Sequence, residues 1–158
     1  MPLLHSGSNK MVEYEFFGNE ARFHHVGLAV TSIRDVSPSS DIIVNRTERV
    51  LMAFIKLNGM TIELLEPLGD DSPIAQSLRD GVKLLHFCYE VPDLAAAVNN
   101  CRSAGFHRIS RPKTVPEFDS RRVSWVFSKS YGLFELLECK PDSVVGCSNG
   151  KHGGKTVV

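Results

Sequence analysis

The phrase Ile62-Glu-Leu-Leu-Glu66 returns as Phe134-Glu-Leu-Leu-Glu138, and each copy closes a segment that opens with a histidine-bearing strand. The two openings are His24-His-Val-Gly-Leu-Ala-Val30 and Leu84-Leu-His-Phe-Cys-Tyr-Glu-Val91. A diverged internal repeat of this kind restricts the chain to paired, similar modules that share a core. It also returns a metal-capable residue at the same strand position in each half, which suits a site built from both halves.

Local patterns define the elements of each half. Phe23–Val30, Arg49–Leu57 and Met60–Glu66 read as strands, the last two joined by the hairpin signal Asn58-Gly59. Ser72 before Pro73 reads as the N-cap of a short helix that Gly81 stops. After a strand over 84–91, Pro92-Asp93 caps a helix through Ala104 with Leu94, Ala97, Val98 and Cys101 on one stripe and Gly105 as terminator. Phe106–Ile109, Arg122–Ser128 and Leu133–Cys139 complete a βαβββ order.

His25 stands 38 residues before Glu63, whereas His86 stands 49 before Glu135. The shortfall of 11 is close to the length of the second-half helix, and the serines and Pro38 of 31–41 favour turns in its place. The first module is therefore expected to have its helix shortened or missing. The expected organisation is an N-terminal extension over 1–20, a first module over 21–66, a linker with a short helix over 67–83, a second module over 84–140 and a flexible tail over 141–158. A missing helix would uncover Val26, Leu28 and Val30, leaving either the segment 12–23, with Tyr14, Phe16 and Phe17, or a second subunit to cover them.

Composition narrows the function. Eighteen basic and eighteen acidic residues cancel, with no basic stripe beyond Arg121-Arg122, so a nucleic-acid partner is not expected. No stretch approaches the ~20 apolar residues of a spanning helix, and the first ten residues lack a signal-peptide core, which leaves a cytoplasmic location as the expectation. Cys88, Cys101, Cys139 and Cys147 show no Cys-x-x-Cys spacing and read as reduced thiols.

Strand alternation puts His25, Gly27 and Ala29 on one face and His86, Cys88 and Glu90 on the matching face of their strand. Glu63 shares a face with Leu65, and Glu135 with Leu137. His24 falls on the opposite face as a structural residue, and His107 and His152 have no assigned role. Two imidazoles and two carboxylates at repeat-equivalent positions are a donor set that suits a divalent transition metal.

The phrases His25-Val-Gly-Leu-Ala-Val30, Phe54-Ile-Lys-Leu57, Ile62-Glu-Leu-Leu-Glu-Pro-Leu68, Ser72-Pro-Ile-Ala75, His86-Phe-Cys-Tyr-Glu-Val91 and Glu135-Leu-Leu together resemble the vicinal oxygen chelate superfamily (glyoxalase/bleomycin resistance/dioxygenase), nearest its methylmalonyl-CoA epimerase branch. The resemblance implies an α+β fold in which paired βαβββ modules form a curved mixed sheet around a central cleft. It also implies a divalent metal (Co, Zn, Ni, Mn or Fe) held by His25, Glu63, His86 and Glu135. Its implied activity is that of an isomerase or lyase that abstracts an α-proton through a metal-bound enolate, with Glu135 as one acid/base. The second acid/base of the branch falls near Arg46 or Thr47, which makes Glu48 the candidate here. A small-molecule substrate such as an acyl-CoA or another chelating oxygen compound, and a homodimer, follow from the same resemblance.

Departures from the branch lie in the loop from Pro112 to Arg122, where Glu117 and Phe118 suggest a lid and Arg121 and Arg122 suggest contacts to an anionic group. Lys113 and Lys129 match family lysines in position, and Trp125 and Phe127 are expected to pack or line a strand face. Two alternatives stand beside the epimerase-like reading. One is iron-dependent dioxygen chemistry, which Glu63 as a fourth ligand disfavours, and the other is a non-catalytic binding module of the resistance type.

Overall fold

The computed structural model describes residues 11–140, so the expectations for the first ten residues and for the tail, Cys147 and His152 included, fall outside the described residues. One nine-stranded mixed sheet runs through both modules. The first module comprises β1 (Arg22–Ala29), α1 (Ile33–Val36), β2 (Ile43–Asn45), β3 (Val50–Leu57) and β4 (Met60–Pro67). After α2 (Ala75–Arg79) the second follows as β5 (Leu84–Val91), α3 (Leu94–Asn100) with a 3-10 turn over Cys101–Ala104, β6 (His107–Arg108), β7 (Lys113–Val115), β8 (Arg121–Ser128) and β9 (Gly132–Glu138). The sheet order is β2-β3-β4-β1-β5-β9-β8-β6, with β7 also on β8. The opening strands of the two modules therefore lie antiparallel at the centre, and each has its own module's closing strand parallel beside it.

Local chemistry accounts for the punctuation. Asn58 and Gly59 both take positive φ, 46° and 87°, the twist that a two-residue hairpin between β3 and β4 requires. Asp93 caps α3 by accepting the Ala96 N–H at 2.9 Å, and Gly105 ends the following turn at φ 81°. The helix expected from Ser72 starts later, at Ala75 with Ile74 in the cap position and no side-chain cap. The Ser72 carbonyl closes a turn with the Ala75 N–H, so the chain is still turning where a cap would sit.

The second glutamate of each repeated phrase anchors a helix start. Glu66 accepts the Ile33 N–H at 2.7 Å, and Glu138 accepts from the backbone of Leu94 while bonding Arg122 at 2.7 and 2.5 Å. Ile33 and Leu94 are the first residues of α1 and α3, so a short helix does occupy the first module. Its four residues bury Ile33 completely against Val26, Ala53, Ile62 and Leu64.

The N-terminal segment does not cover that face. Phe17 instead enters the second module's outer core, with ring centroids 5.4, 5.5 and 5.4 Å from Tyr89, Phe106 and Phe134. Strand pairing explains the correction: Arg22 at the start of β1 lies opposite Glu90 at the end of β5, so the preceding segment emerges beside the second module. Leu28, Val30, Leu51 and Ile55 remain half-buried on the first module, where the expected cover would have lain. Among the described residues no helix is long and apolar enough to cross a membrane, and Cys88, Cys101 and Cys139 are buried and form no disulfide with one another.

Candidate metal centre

Register places four side chains on two adjacent rows across the inner face of the sheet. One row runs Phe54–Glu63–Gly27–His86, the other His25–Cys88–Glu135–Trp125. The rows are related by the repeat. Gly27 follows His25 by two residues and carries Glu63 on one side and His86 on the other, while Cys88 follows His86 by two and carries Glu135 and His25. A one-residue slip in any of these pairings would send a donor to the outer face.

The structure brings His25, Glu63, His86 and Glu135 together, each no more than 4% exposed, with one donor atom from each within 4.8 Å of all the others. His25 Nε2, His86 Nε2 and Glu63 Oε2 form a triangle with three edges of 3.3 Å. Glu135 Oε2 stands 3.3 Å from His25 Nε2 and 3.8 Å from His86 Nε2. Donors bonded to one first-row cation at about 2.0–2.1 Å stand about 3.0–3.4 Å apart, so the spacing fits a shared ion. Glu135 Oε2 is buried without a hydrogen-bond partner, an orphan that a cation would satisfy.

Gly27 makes the arrangement possible. A Cβ there would lie 2.1 Å from His86 Cε1 and 2.4 Å from Nδ1, so the imidazole occupies the space that any other residue would fill. Aromatic walls fix both rings: Phe54 meets His25 edge-on at 5.6 Å, Phe118 stacks on it at 6.0 Å, and Trp125 meets His86 edge-on at 4.8 Å.

In the absence of an ion the cluster polarises itself. Burial alone would lower the His25 pKa, but the Glu135 and Glu63 carboxylates, each 3.3 Å from its Nε2, raise it to about 9. Burial would likewise raise Glu63, and the two imidazoles overcome it and hold the carboxyl below its usual range. The Cys88 thiol is pushed well up, first by burial and then by the Glu135 carboxylate, and stays protonated.

His24 departs from its expected place. The β1–β5 register shifts between Phe23 and His25, and this irregularity turns the His24 ring to the His25 side, Nδ1 to Nδ1 at 2.8 Å. Burial and then the neighbouring His25 lower its pKa, which suits a neutral acceptor for a proton on His25 Nδ1. That proton leaves Nε2 directed at the cluster. Strict alternation could not show this, because a bulge has no period.

A cavity of about 490 Å³ opens above the cluster, lined by Glu63, His86 and Glu135 at its floor and by apolar side chains including Met52, Ile74, Leu85, Val123 and Trp125. Glu48 lines the same cavity, ion-paired with Lys113. Phe118 is a buried wall rather than part of a lid. Arg121 is bonded to Glu90 and to the Phe118 carbonyl at 3.1 Å, and Arg122 to Glu138, so neither expected anion contact lines the cavity. Lys113 does.

Comparison with known proteins gives a consistent set of likenesses. Residues 20–125 match the model of the Glyoxalase/Bleomycin resistance protein/Dioxygenase superfamily. An ethylmalonyl-CoA/methylmalonyl-CoA epimerase of Cereibacter sphaeroides is 45% identical over 58 residues, covering 35% of this chain and 43% of that protein. The mitochondrial methylmalonyl-CoA epimerase of Mus musculus is 31% identical over 100 residues, 56% of each chain. The matches thus span about half the length of these relatives. Among solved structures, a hypothetical protein from Bacillus halodurans superimposes with a TM-score of 0.63 at 26% identity, covering 76% of this chain and 95% of that one. The Mycobacterium tuberculosis methylmalonyl-CoA epimerase gives 0.62 at 22% identity, over 85% and 97%, a likeness of fold.

Proposed function

This chain belongs to the Glyoxalase/Bleomycin resistance protein/Dioxygenase superfamily, and from that premise we propose that it is a divalent-metal-dependent isomerase or lyase that removes an α-proton, as a methylmalonyl-CoA epimerase does. The observation that carries the reading is the buried quartet His25, Glu63, His86 and Glu135, of which Glu63, His86 and Glu135 line an apolar cavity, together with a buried Glu135 oxygen that has no hydrogen-bond partner. A bound divalent cation would supply positive charge against the negative charge that develops on a substrate oxygen as a neighbouring C–H proton leaves.

In this proposal His25, His86 and Glu63 hold the ion, and Glu135 combines ligation with proton transfer through a carboxylate oxygen. The rings of Phe54, Phe118 and Trp125 against His25 and His86 lower the polarity around the cluster, which strengthens the charge interactions within it. Glu48 is the second acid/base, and its place in the cavity lining supports that role. An acyl-CoA thioester is the substrate class suggested by the relatives named above. The exposed apolar side chains Val44, Leu57 and Met60 on the first module support a homodimer as the working form.

Metal analysis by mass spectrometry together with deuterium exchange at the α-carbon of methylmalonyl-CoA tests the reading. About one transition-metal equivalent and metal-dependent exchange, both lost in a Glu135→Ala/His86→Ala variant, are expected. A protein that takes up no metal on titration would overturn the proposal. A metal-loaded protein without exchange would overturn the epimerase-like activity alone and favour the binding-module alternative.

A further inference from the structure

Among the described residues, charge in the cavity lining is confined to two places. One is the buried cluster at the floor; the other is the pair Glu48 and Lys113, the latter being the one lysine or arginine that the described residues contribute to the lining. Glu48 belongs to the turn between β2 and β3 of the first module and Lys113 to β7 of the second, so the pair bridges the two halves.

Both backbones are held. Asn45 Oδ1 accepts the Glu48 N–H at 2.9 Å, and Arg49 beside it takes φ 54° while its carbonyl accepts the Leu68 N–H at 3.0 Å. Lys113 pairs with Val123 in the β7–β8 ladder. The side chains, in contrast, are 38% (Lys113) and 39% (Glu48) exposed, and an ion pair so exposed to water is screened and contributes little to stability. Such a pair does little for the fold and exchanges partners at low cost.

We propose that Lys113 is the cavity's anchor for a substrate oxyanion, with Glu48 its internal occupant in the free protein. The site then selects an amphiphilic anion: an apolar body against Met52, Ile74, Leu85 and Val123, and a carboxylate or phosphate that displaces Glu48 from Lys113. Weaker binding of neutral analogues, held by the apolar lining alone, follows, because an unliganded Lys113 already has a partner and a neutral group offers it nothing better. That the other end of this molecule carries the reacting C–H group rests on the proposed function; the anchor itself does not.

The chain's single tryptophan, Trp125, lines the cavity, so its fluorescence reports on occupancy. Full-length, metal-free protein in EDTA would be titrated with octanoate, octyl phosphate and 1-octanol, for the wild type and for Lys113→Met, Lys113→Arg and Glu48→Gln. The expected result is anion binding that weakens about tenfold in Lys113→Met, recovers in Lys113→Arg and tightens several-fold in Glu48→Gln, with octanol unchanged throughout. A response to octanoate alone assigns a carboxylate, and a response to octyl phosphate alone a phosphate. Failure of both anions to bind the wild type, a Lys113→Met effect under twofold, or an equal loss of octanol binding would overturn the anchor. Because the titration is metal-free, a failed metal reading leaves its result intact, and a metal-loaded, exchange-competent protein with an indifferent Lys113 sinks the anchor alone.

Discussion

Gly27→Ala is the most informative single substitution, since it adds one methyl group and changes no charge. Gly27 is not held at positive φ, so alanine is acceptable to the backbone and the whole effect falls on the 2.1 Å approach to the His86 ring. Carbon atoms rest about 3.5–4.0 Å apart, so the imidazole must retreat by more than 1 Å, roughly five times the ±0.2 Å tolerance of a metal–ligand bond. A four-ligand divalent site is worth about 12 kcal/mol, hence one ligand about 3 kcal/mol, which corresponds to roughly a hundredfold in affinity. The overlap itself should cost about 1–3 kcal/mol in the metal-free protein. Competition against a chromophoric chelator measures the first quantity and urea unfolding in EDTA the second. Adding His86→Ala should relieve the overlap and recover stability relative to Gly27→Ala alone without recovering metal binding. Wild-type metal affinity in Gly27→Ala would refute the claim that this glycine exists to make room for His86.

Stability of the metal-free protein should depend on pH with a definite sign. His25, raised from 6.5 to about 9, contributes stability that is fully present below pH 6.5 and lost as pH rises through 9, while Glu63, lowered from 4.5, contributes stability present above 4.5 and lost as pH falls toward its folded value. Urea midpoints should therefore peak between pH 4.5 and 6.5, and His25→Gln should flatten the alkaline limb. Metal uptake at pH 7.5 should release a proton from His25, read as a dependence of the calorimetric binding enthalpy on buffer ionisation enthalpy; equal enthalpies in phosphate and Tris would contradict the assignment. Phe17→Ala should lower unfolding free energy by about 3–5 kcal/mol while leaving metal affinity unchanged, because Phe17 packs on the outer core and not in the cavity. If metal affinity falls with it, the two sides of the sheet are coupled more tightly than the packing suggests.

Much of the architecture was legible in periodic or local signals. The repeated Glu-Leu-Leu-Glu phrase, the two histidine strands and the Asn58-Gly59 turn each carry their meaning within a few residues, and a side-chain period of two fixes which face a strand residue takes. Those signals put His25, Glu63, His86 and Glu135 at repeat-equivalent positions, and the family resemblance named them as one set around a cleft. The 11-residue shortfall likewise located the truncated helix, since lengths between equivalent residues need no coordinates.

What depended on pairing between distant strands was not legible. The irregularity that turns His24 toward His25 exists only where β1 meets β5, and the use of Gly27 as a berth for His86 requires the antiparallel register of the two modules. The Lys113–Glu48 bridge joins elements 65 residues apart, and Arg121 and Arg122 were lost as anion contacts to Glu90 and Glu138 for the same reason. Phe17 went to the second module because β1 begins beside the end of β5, a fact of topology. Sequence alone determined which residues face inward wherever a strand keeps its period of two, which excludes His24 beside the irregularity in β1, because side-chain direction is a property of the regular strand. Tertiary structure decided which of them touch, because contact across a sheet depends on register, and register is set by the whole fold.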